Sequence, residues 1–369
     1  MGGAELVLYR LLLGTDRSEF SPTVVSLTTD GPVADRIREA GVSVMTLGLR
    51  ARGNPFARLH EFRSWLRRVR PAVVQSWMPH ADLVAAIACR GVGGPAVAWG
   101  IRTGCVDRVS ISTPTRLLIR GNAYLSHRSP QAIVCGSRAA QRLYTGLGYA
   151  AEKMVVIQNG VGLGLFRPDT DARASVRAEL GIDQRALIVG LVGRWHPQKN
   201  HHGFFGAIRS LESLYPDAHF VLAGQEVTVD NPEVRTLMSG VPSRGRVHLL
   251  GLRDDIARLT ASFDIAVVAS VGGEGFPNTA AEAMACGIPC VVTDVGDGGE
   301  VIGDTGRLVE PGNVDGLTAG IRQLLDLPAD ARRSLGERAR ARVASRFGLQ
   351  AMVDRYADLH RRLASDAWR

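Results

Sequence analysis

Short apolar segments of strand type alternate with helical segments along most of the chain, and this alternation constrains the fold more than any other feature. In the first half the strand-type segments are TVVSLTT, VSVMTLG, AVVQSWM and AVAWGI, and helices are predicted over 33–40, 56–69 and 81–89. A second series contains ALIVGLVG, HFVLAG, VHLLG, IAVVAS and CVVTD. Such alternation predicts parallel sheets with helices on both faces. The 369 residues therefore predict an α/β protein with two doubly wound domains, joined near VIQNGVGLGLFRP.

Composition narrows the class of protein further. The chain is 45% hydrophobic and 22% charged, and no apolar run approaches the roughly 20 residues that span a bilayer. No secretory signal is recognisable, so we expect a cytoplasmic protein. The five cysteines include no C-x-x-C pair, which favours reduced thiols over a disulfide framework. No nucleic-acid-binding signature is present.

Charge is distributed unevenly. Residues 1–168 carry 21 Lys and Arg against 10 Asp and Glu, a balance of +11, and the remaining 23 basic and 26 acidic residues give −3, for the total of +8. The basic half suits either an anionic partner or simply an arginine-rich, solvated surface. The segment ARLHEFRSWLRRVR leaves the same two alternatives open, because a basic amphipathic helix can be an ordinary surface helix or can contact an anionic membrane.

Two glutamates flank a predicted helix start in the stretch 270–300, SVGGEGFPNTAAEAMACGIPCVVTDVGDGGE. Pro277 suits a first helical turn and Gly287 suits a helix end, which predicts a helix from Asn278 to Cys286. Glu274 then lies in the loop before the helix, and Glu282 lies one turn inside it. Free N–H groups at a helix start favour an anion, so this stretch suits a ligand with both hydroxyls and phosphate.

The run E-G-F-P-N-T-x-x-E-A-M-A-C-G-x-P resembles the E-x7-E signature of glycosyltransferase family 4, whose members are retaining enzymes with the two-domain GT-B fold. Further matches are GGAE, IVCGSRAA, VIQNGV, VGRWHPQKN and HLLGLRDDI. The resemblance implies two Rossmann-like domains facing across a cleft, over 1–165 and 166–348. It also implies a last helix, within 349–369, that crosses back to the first domain.

Arg194 and Lys199 follow the first strand of the second series, and a helix is predicted to begin near Asn200, a good N-cap. Ligands of open α/β sheets bind at the carboxyl ends of the strands, so we expect both cations beside the Glu274 loop. Lys199 is one of only two lysines in the chain, the other being Lys153. An ammonium retained in so arginine-rich a chain suggests a specific role, and the family's G-R-x(n)-K element binds the leaving diphosphate.

The resemblance implies a role for each site residue. Arg194, Lys199 and Glu274 are predicted as catalytic, with the cations on the leaving diphosphate and Glu274 on sugar hydroxyls. Glu282 is predicted to accept the ribose hydroxyls. The predicted donor-binding residues are Glu282, Gly193, Gly275, Phe276, Asn278, Thr279 and Arg253.

On the acceptor side, Gly2 and Gly3 form a glycine turn that can present amides to an anion. His80 precedes a predicted helix, where it either contacts a ligand or caps the helix. Arg102 occupies the position at which many family members carry a histidine, and an arginine there could hold phosphate. The family has a strand before the glycine turn, and we expect that strand to lie upstream of Met1.

Metal ligands are not expected. His196, His201 and His202 match no zinc spacing, and we expect structural or solvent-facing roles for them. Asp169 and Asp171 form a D-x-D that we interpret as part of a linker.

We therefore expect retaining transfer of a sugar from a nucleotide-diphosphate sugar to a lipid-linked or polysaccharide-precursor acceptor, without a cofactor. A GT-B-fold epimerase and an inactive nucleotide-sugar-binding protein remain alternatives.

Overall fold

The computed structural model describes residues 3–49, 54–91, 94–106 and 111–365, which fall into two compact units. The first unit comprises Met1–Gly160 and Leu349–Arg369, and the second unit comprises Val161–Gly348. The second unit begins at Val161, whose amide donates to Phe347 O at 2.8 Å, while the sequence analysis placed the boundary near residue 165.

The first unit contains helices on both faces of parallel strands. Its elements are α1 Gly3–Gly14, β1 Thr23–Ser26, α2 Pro32–Glu39, β2 Ser43–Thr46, α3 Pro55–Val69, β3 Val73–Gln75, α4 Pro79–Cys89, β4 Ala96–Ile101, α5 Thr113–Ser126, β5 Ala132–Cys135, α6 Arg138–Gly146 and β6 Met154–Val156. The strands form a two-stranded sheet, β1-β2, and a four-stranded sheet, β3-β4-β5-β6.

Each face of the four-stranded sheet has its own core. On one face α4, α5 and α6 pack around Trp99 and Ile133, and on the other α1 packs with the last helix of the chain around Val134 and Tyr356. That last helix is numbered α15 below and spans Leu349–Ser365. It lies in the first unit although it follows the second in sequence.

The second unit is a six-stranded parallel sheet covered on both faces. Its elements are α7 Thr170–Leu180, β7 Leu187–Val192, α8 His201–Leu211, β8 Ala218–Ala223, α9 Pro232–Ser239, β9 Val247–Leu249, α10 Ile256–Ala261, β10 Ile265–Val268, α11 Asn278–Ala285, β11 Cys290–Thr293, α12 Gly298–Ile302, β12 Arg307–Val309, α13 Val314–Leu325 and α14 Ala329–Arg346. The strand order is β12-β11-β10-β7-β8-β9.

The predicted fold class is therefore confirmed, and most predicted strands lie within two or three residues of their observed bounds. The prediction assigned no element between 111 and 131, where α5 lies, it assigned no strand to β5, β6 or β12, and it treated Asp169 as linker. Asp169 is instead the N-cap of α7 and accepts a hydrogen bond from Ala172 N at 2.8 Å. No helix among the described residues is both long and apolar enough to cross a bilayer.

Candidate active site

The centre of the second unit's sheet is the point where the chain reverses its direction of winding. From β7 the chain proceeds outward through β8 and β9, and it then returns to β10 on the other side of β7 and continues through β11 and β12. β7 and β10 are parallel neighbours, with Val189 opposite Ile265. The carboxyl ends of such strands form a crevice in which open α/β sheets bind ligands.

The loops after these two strands are joined by an ion pair that the sequence did not predict. Lys199 Nζ donates to Glu274 Oε1, and Ser270 Oγ donates to the same oxygen at 2.8 Å. The side chains of Lys199 and Glu274 are 27% and 15% exposed, so the pair is accessible from solvent. The ammonium is therefore held at the carboxyl ends of the strands, and the bond to Glu274 uses one of its three donor positions.

Backbone contacts hold the same two loops together. Val271 N donates to Gln198 O at 2.9 Å, and Gly273 has φ +78°. A Cβ on Gly273 would lie 2.4 Å from the amide nitrogen of the flexible Gln198 side chain, which would have to move, and the positive φ itself favours glycine there. The position of Glu274 relative to Lys199 thus depends on Gly273.

A second glycine supports the Glu274 loop from the turn after β11. Asp297 N donates to Gly275 O at 2.8 Å, and Gly296 has φ +64°. A Cβ on Gly296 would lie 2.4 Å from Glu274 O. Sequence reasoning did not assign Gly296 a role, although the glycines in VGDGGE directly after a buried strand were a usable signal.

Helix α11 begins at Asn278, directly after Phe276-Pro277, and forms one wall of the crevice. Pro277 offers no side-chain cap, and the first amides of the helix donate within the turn, Asn278 N to Phe276 O at 2.9 Å and Ala280 N to Pro277 O at 3.1 Å. Thr279 lines two small adjoining clefts together with Val192 and Val268, and Lys199 lines one of these clefts. Glu282 lines the other and is only 7% exposed. The structure therefore brings Lys199, Glu274, Thr279 and Glu282 to one place.

The loop after β7 is fixed by a histidine. His201 Nε2 donates to Arg194 O at 3.0 Å, and its ring stacks on Trp195 with centroids 4.8 Å apart. Burial lowers the pKa of His201, so the ring is neutral and donates through Nε2. The backbone at Arg194 is anchored in this way, while the Arg194 side chain is exposed.

Gly193 is not required by packing within the chain. A Cβ there would lie 3.6 Å from Lys199 Cδ, an ordinary van der Waals distance. The absent side chain instead leaves open the space above the end of β7, which suits close approach of a ligand.

Arg253 already has partners among the described residues. Its guanidinium donates to Asp255 Oδ1 at 2.7 Å and to Glu179 Oε1 at 2.6 Å, and the bond to Asp255 raises the pKa of Arg253. The Arg253 side chain is therefore held in an ion cluster with α7 and α10, because two carboxylates flank it.

The predicted acceptor-side residues lie in the first unit. Gly3 is the first residue of α1, whereas Gly2 lies outside the described residues. His80 is exposed at the start of α4. Arg102 stacks on the Trp77 ring, with its guanidinium carbon 3.8 Å from the ring centroid.

Arg102 is committed to the packing of the first unit. It donates to Asn159 Oδ1 at 3.1 Å and to the Tyr356 hydroxyl on α15. Burial lowers its pKa to about 9. These contacts connect the end of β4 to α15, a structural role that sequence reasoning missed because Tyr356 is distant in sequence.

A strained residue precedes His80. Met78 has φ +81° and ψ 158°, a conformation that residues other than glycine rarely adopt. Its amide donates to Gly100 O at 2.9 Å. Nearby, the buried Asp82 accepts from Ser76 Oγ at 2.5 Å, and burial raises the pKa of Asp82 to about 7. Nothing in the sequence indicated this strain.

Metal ligands are not clustered in the part of the chain that the structure describes, where no group of three His, Cys, Asp or Glu side chains could hold a metal ion. His196 caps a short 3₁₀ turn that contains Lys199, and His201 holds the backbone of Arg194.

Two doubly wound α/β units and this crevice together define the class of protein: the chain has the GT-B fold. The crystal structure of Anabaena Alr3699/HepE in complex with UDP has the same architecture, with a TM-score of 0.83 and 22% identity, over 97% of this chain and 96% of that chain.

The family follows from two further matches. Residues 1–164 match the model for Glycosyltransferase Family 4, and residues 186–327 match the model for Glycosyl transferases group 1. The chain belongs to the family 4 glycosyltransferases.

Two bacterial relatives illustrate the similarity. The N,N'-diacetylbacillosaminyl-diphospho-undecaprenol α-1,3-N-acetylgalactosaminyltransferase of Campylobacter jejuni is 25% identical over 98% of this chain and 96% of its own length. The UDP-Gal:α-D-GlcNAc-diphosphoundecaprenol α-1,3-galactosyltransferase of Escherichia coli is 26% identical over 56% of this chain. The chain spans 54% of the length of that second relative.

Proposed function

We propose that this protein transfers a glycosyl group from a nucleoside-diphosphate sugar to a lipid-linked or polysaccharide-precursor acceptor, with retention of anomeric configuration. The observation that carries the proposal is the convergence of Lys199, Glu274 and Glu282 beside the start of α11 at the winding reversal of the sheet. Cations, a helix start and carboxylates are the groups that a diphosphate and a set of hydroxyls require.

The main chemical requirement of the reaction is to stabilise the leaving diphosphate. As the bond between the sugar C1 and the phosphate oxygen breaks, its electron pair stays on the diphosphate and positive charge develops on the ring. Lys199, Arg194 and the start of α11 would stabilise the departing diphosphate, and such contacts lower the barrier most if they strengthen in the transition state. The proposal assigns to these groups the role that a metal ion has in other transferases.

The carboxylates would orient the donor. Glu282 would accept hydrogen bonds from the ribose hydroxyls, and Glu274, held by Ser270 and Lys199, would accept from sugar hydroxyls. The acceptor oxygen would bond to C1 on the face that the diphosphate leaves, and its proton would pass to the departing phosphate oxygen. This route retains configuration without a protein nucleophile.

The activities for which both relatives are named support the acceptor class, because each name describes transfer to a sugar-diphosphate-undecaprenol, and one names UDP-Gal as donor. The HepE complex with UDP supports a nucleotide in the same fold. We also propose that transfer takes place at the cytosolic face of a membrane, where a lipid-linked acceptor presents its sugar.

The test incubates the purified protein with a panel of nucleotide-sugars, with and without polyprenyl-diphosphate-linked saccharides. Acceptor-dependent release of nucleoside diphosphate, together with a product whose anomeric coupling matches that of the donor, is the expected result. Conversion of the donor without acceptor would establish an epimerase. Binding without conversion of any donor would establish an inactive binding protein.

A further inference from the structure

The outer face of α5 exposes two large apolar side chains. Leu117 and Tyr124 are 61% and 64% exposed, and their seven-residue spacing places them on one side of the helix. The opposite side of α5 is buried through Ile119 and Ala123. Both sides of α5 therefore carry apolar side chains: one side is buried in the first unit, and the other is exposed to solvent.

This face is strongly basic. Residues 111–151 contain no Asp or Glu, and α5 itself carries Arg116 and Arg120, with Arg128 two residues after its end. Arg120 lies between the two apolar residues and is exposed, and the exposed Arg128 places its guanidinium carbon 4.5 Å from the centroid of the Tyr124 ring. Since no carboxylate neutralises this stretch from within, it is complementary to an anionic surface.

The helix that carries these groups is firmly attached to the first unit. Lys153 Nζ donates to Ser126 O at 3.0 Å and to His127 O at 2.9 Å, which satisfies carbonyls at the end of α5. Tyr149 OH donates to Ile119 O at 3.0 Å. These contacts use the inner side and the end of the helix, and Leu117 and Tyr124 on its outer face stay mostly exposed among the described residues.

Helix α3, the basic amphipathic segment noted in the sequence, is less suited to an anionic surface. Arg63 donates to Ile87 O at 3.2 Å and to Arg90 O at 2.8 Å, so it is bound to the neighbouring backbone. Glu61 adds an exposed negative charge to the same helix. In contrast, α5 contains no acidic residue.

We propose that the outer face of α5 docks on an anionic phospholipid bilayer, with Leu117 and Tyr124 in the interface and Arg120 and Arg128 on lipid phosphates. An aromatic ring with a polar tip suits the headgroup region, and the arginine fork pairs with phosphate oxygens. Apolar burial and attraction to anionic lipid act together in such interfacial helices. The docking is separate from sugar transfer and is measured without any nucleotide-sugar.

The experiment is co-sedimentation of the full chain with vesicles of phosphatidylcholine mixed with phosphatidylglycerol, and with vesicles of phosphatidylcholine alone. The variants are Leu117→Ser with Tyr124→Ser, and Arg120→Gln with Arg128→Gln. The matched controls are Leu214→Ser, 59% exposed in the second unit, and Arg322→Gln on α13, whose side chain is 61% exposed. Thermal melting of each variant checks that it is folded.

We expect the wild type to sediment with the anionic vesicles, and each double variant to bind them about tenfold more weakly. The controls should bind as the wild type does. Wild-type-like binding by both folded double variants would overturn the proposal, as would failure of the wild type to bind. A dimer in size-exclusion chromatography that Leu117→Ser with Tyr124→Ser abolishes, with vesicle binding unchanged, would assign this face to a second copy and would also overturn it.

Discussion

Lys199 and Glu274 are 75 residues apart in sequence, yet Lys199 Nζ is hydrogen-bonded to Glu274 Oε1 where β7 and β10 end. The pair places a cation and a carboxylate within reach of the same ligand. A diphosphate bound there would compete with Glu274 for the ammonium, so the proposed binding of the donor would be coupled to release of this pair.

The first prediction concerns that cation. Lys199→Ala should lower kcat by about a hundredfold and change KM less, because the leaving diphosphate gains charge in the transition state. Steady-state kinetics with the donor identified in the panel will measure both constants. Arg209→Ala, on the exposed side of α8, is the control and should have no effect. A change in KM alone would show that Lys199 contributes to donor binding and not to the chemical step.

The second prediction concerns Glu282. Glu282→Gln should weaken binding of the free nucleoside diphosphate by about 1–3 kcal/mol, since a charged hydrogen-bond acceptor for the ribose is lost. Titration calorimetry measures the affinity directly, and Glu337→Gln, an exposed position on α14, serves as the control. Equal affinities of Glu282→Gln and wild type would remove Glu282 from the ribose site.

The third prediction compares two neighbouring glycines. Gly273→Ala should destabilise the protein by about 1 kcal/mol or more, because φ is +78° and the new Cβ would meet the Gln198 side chain at 2.4 Å. It should also raise KM for the donor by displacing Glu274. Gly272→Ala is the matched control, since a Cβ there meets nothing within 4 Å. Identical melting temperatures for the two variants would contradict the argument.

The fourth prediction concerns acid stability. Burial lowers the pKa of His248 to about 4 and that of His360 to about 4, whereas an unfolded histidine titrates near 6.5. Between pH 6.5 and 4 the unfolded chain therefore binds more protons than the folded chain, and stability falls as the pH falls through that window.

Urea unfolding at pH 7 and pH 5 measures this loss. His248→Gln should lose less stability over that range than the wild type, since one buried imidazole no longer has to stay neutral. His60→Gln is the comparison, because His60 is exposed. A stability difference between the two pH values that is the same in wild type and His248→Gln would exclude His248 as a source.

Local patterns in the sequence were sufficient for much of the fold. The strand-type segments were recognised because apolar β-branched runs signal burial without reference to distant residues. The helix start at Asn200 was recognised because a capping residue is also a local signal. The structure confirms it, since the Asn200 side chain accepts from Gly203 N at 3.1 Å. The helix α11 begins at the predicted residue, because its start and end signals also lie within a few positions of the chain.

Helix α5 was missed because its local signals conflict. Gly121 and Asn122 lower its helix propensity, and its apolar residues lie on both sides of the helix. Only the tertiary structure separates the buried Ile119 from the exposed Leu117 and Tyr124. The stretch without acidic residues was visible in the sequence. Whether its arginines can meet an anionic surface depends on which face of α5 is exposed to solvent.

The sequence by itself determined which residues follow the strands of the second unit, and therefore that Lys199, Glu274 and Glu282 are site candidates. Only the tertiary structure decided that Lys199 pairs with Glu274, and that Arg102 is held by α15 rather than left free for a ligand. The physical reason is that strand order and helix docking bring together residues far apart in the chain. Local periodicity and capping signals act over a few residues and carry no information about such pairings.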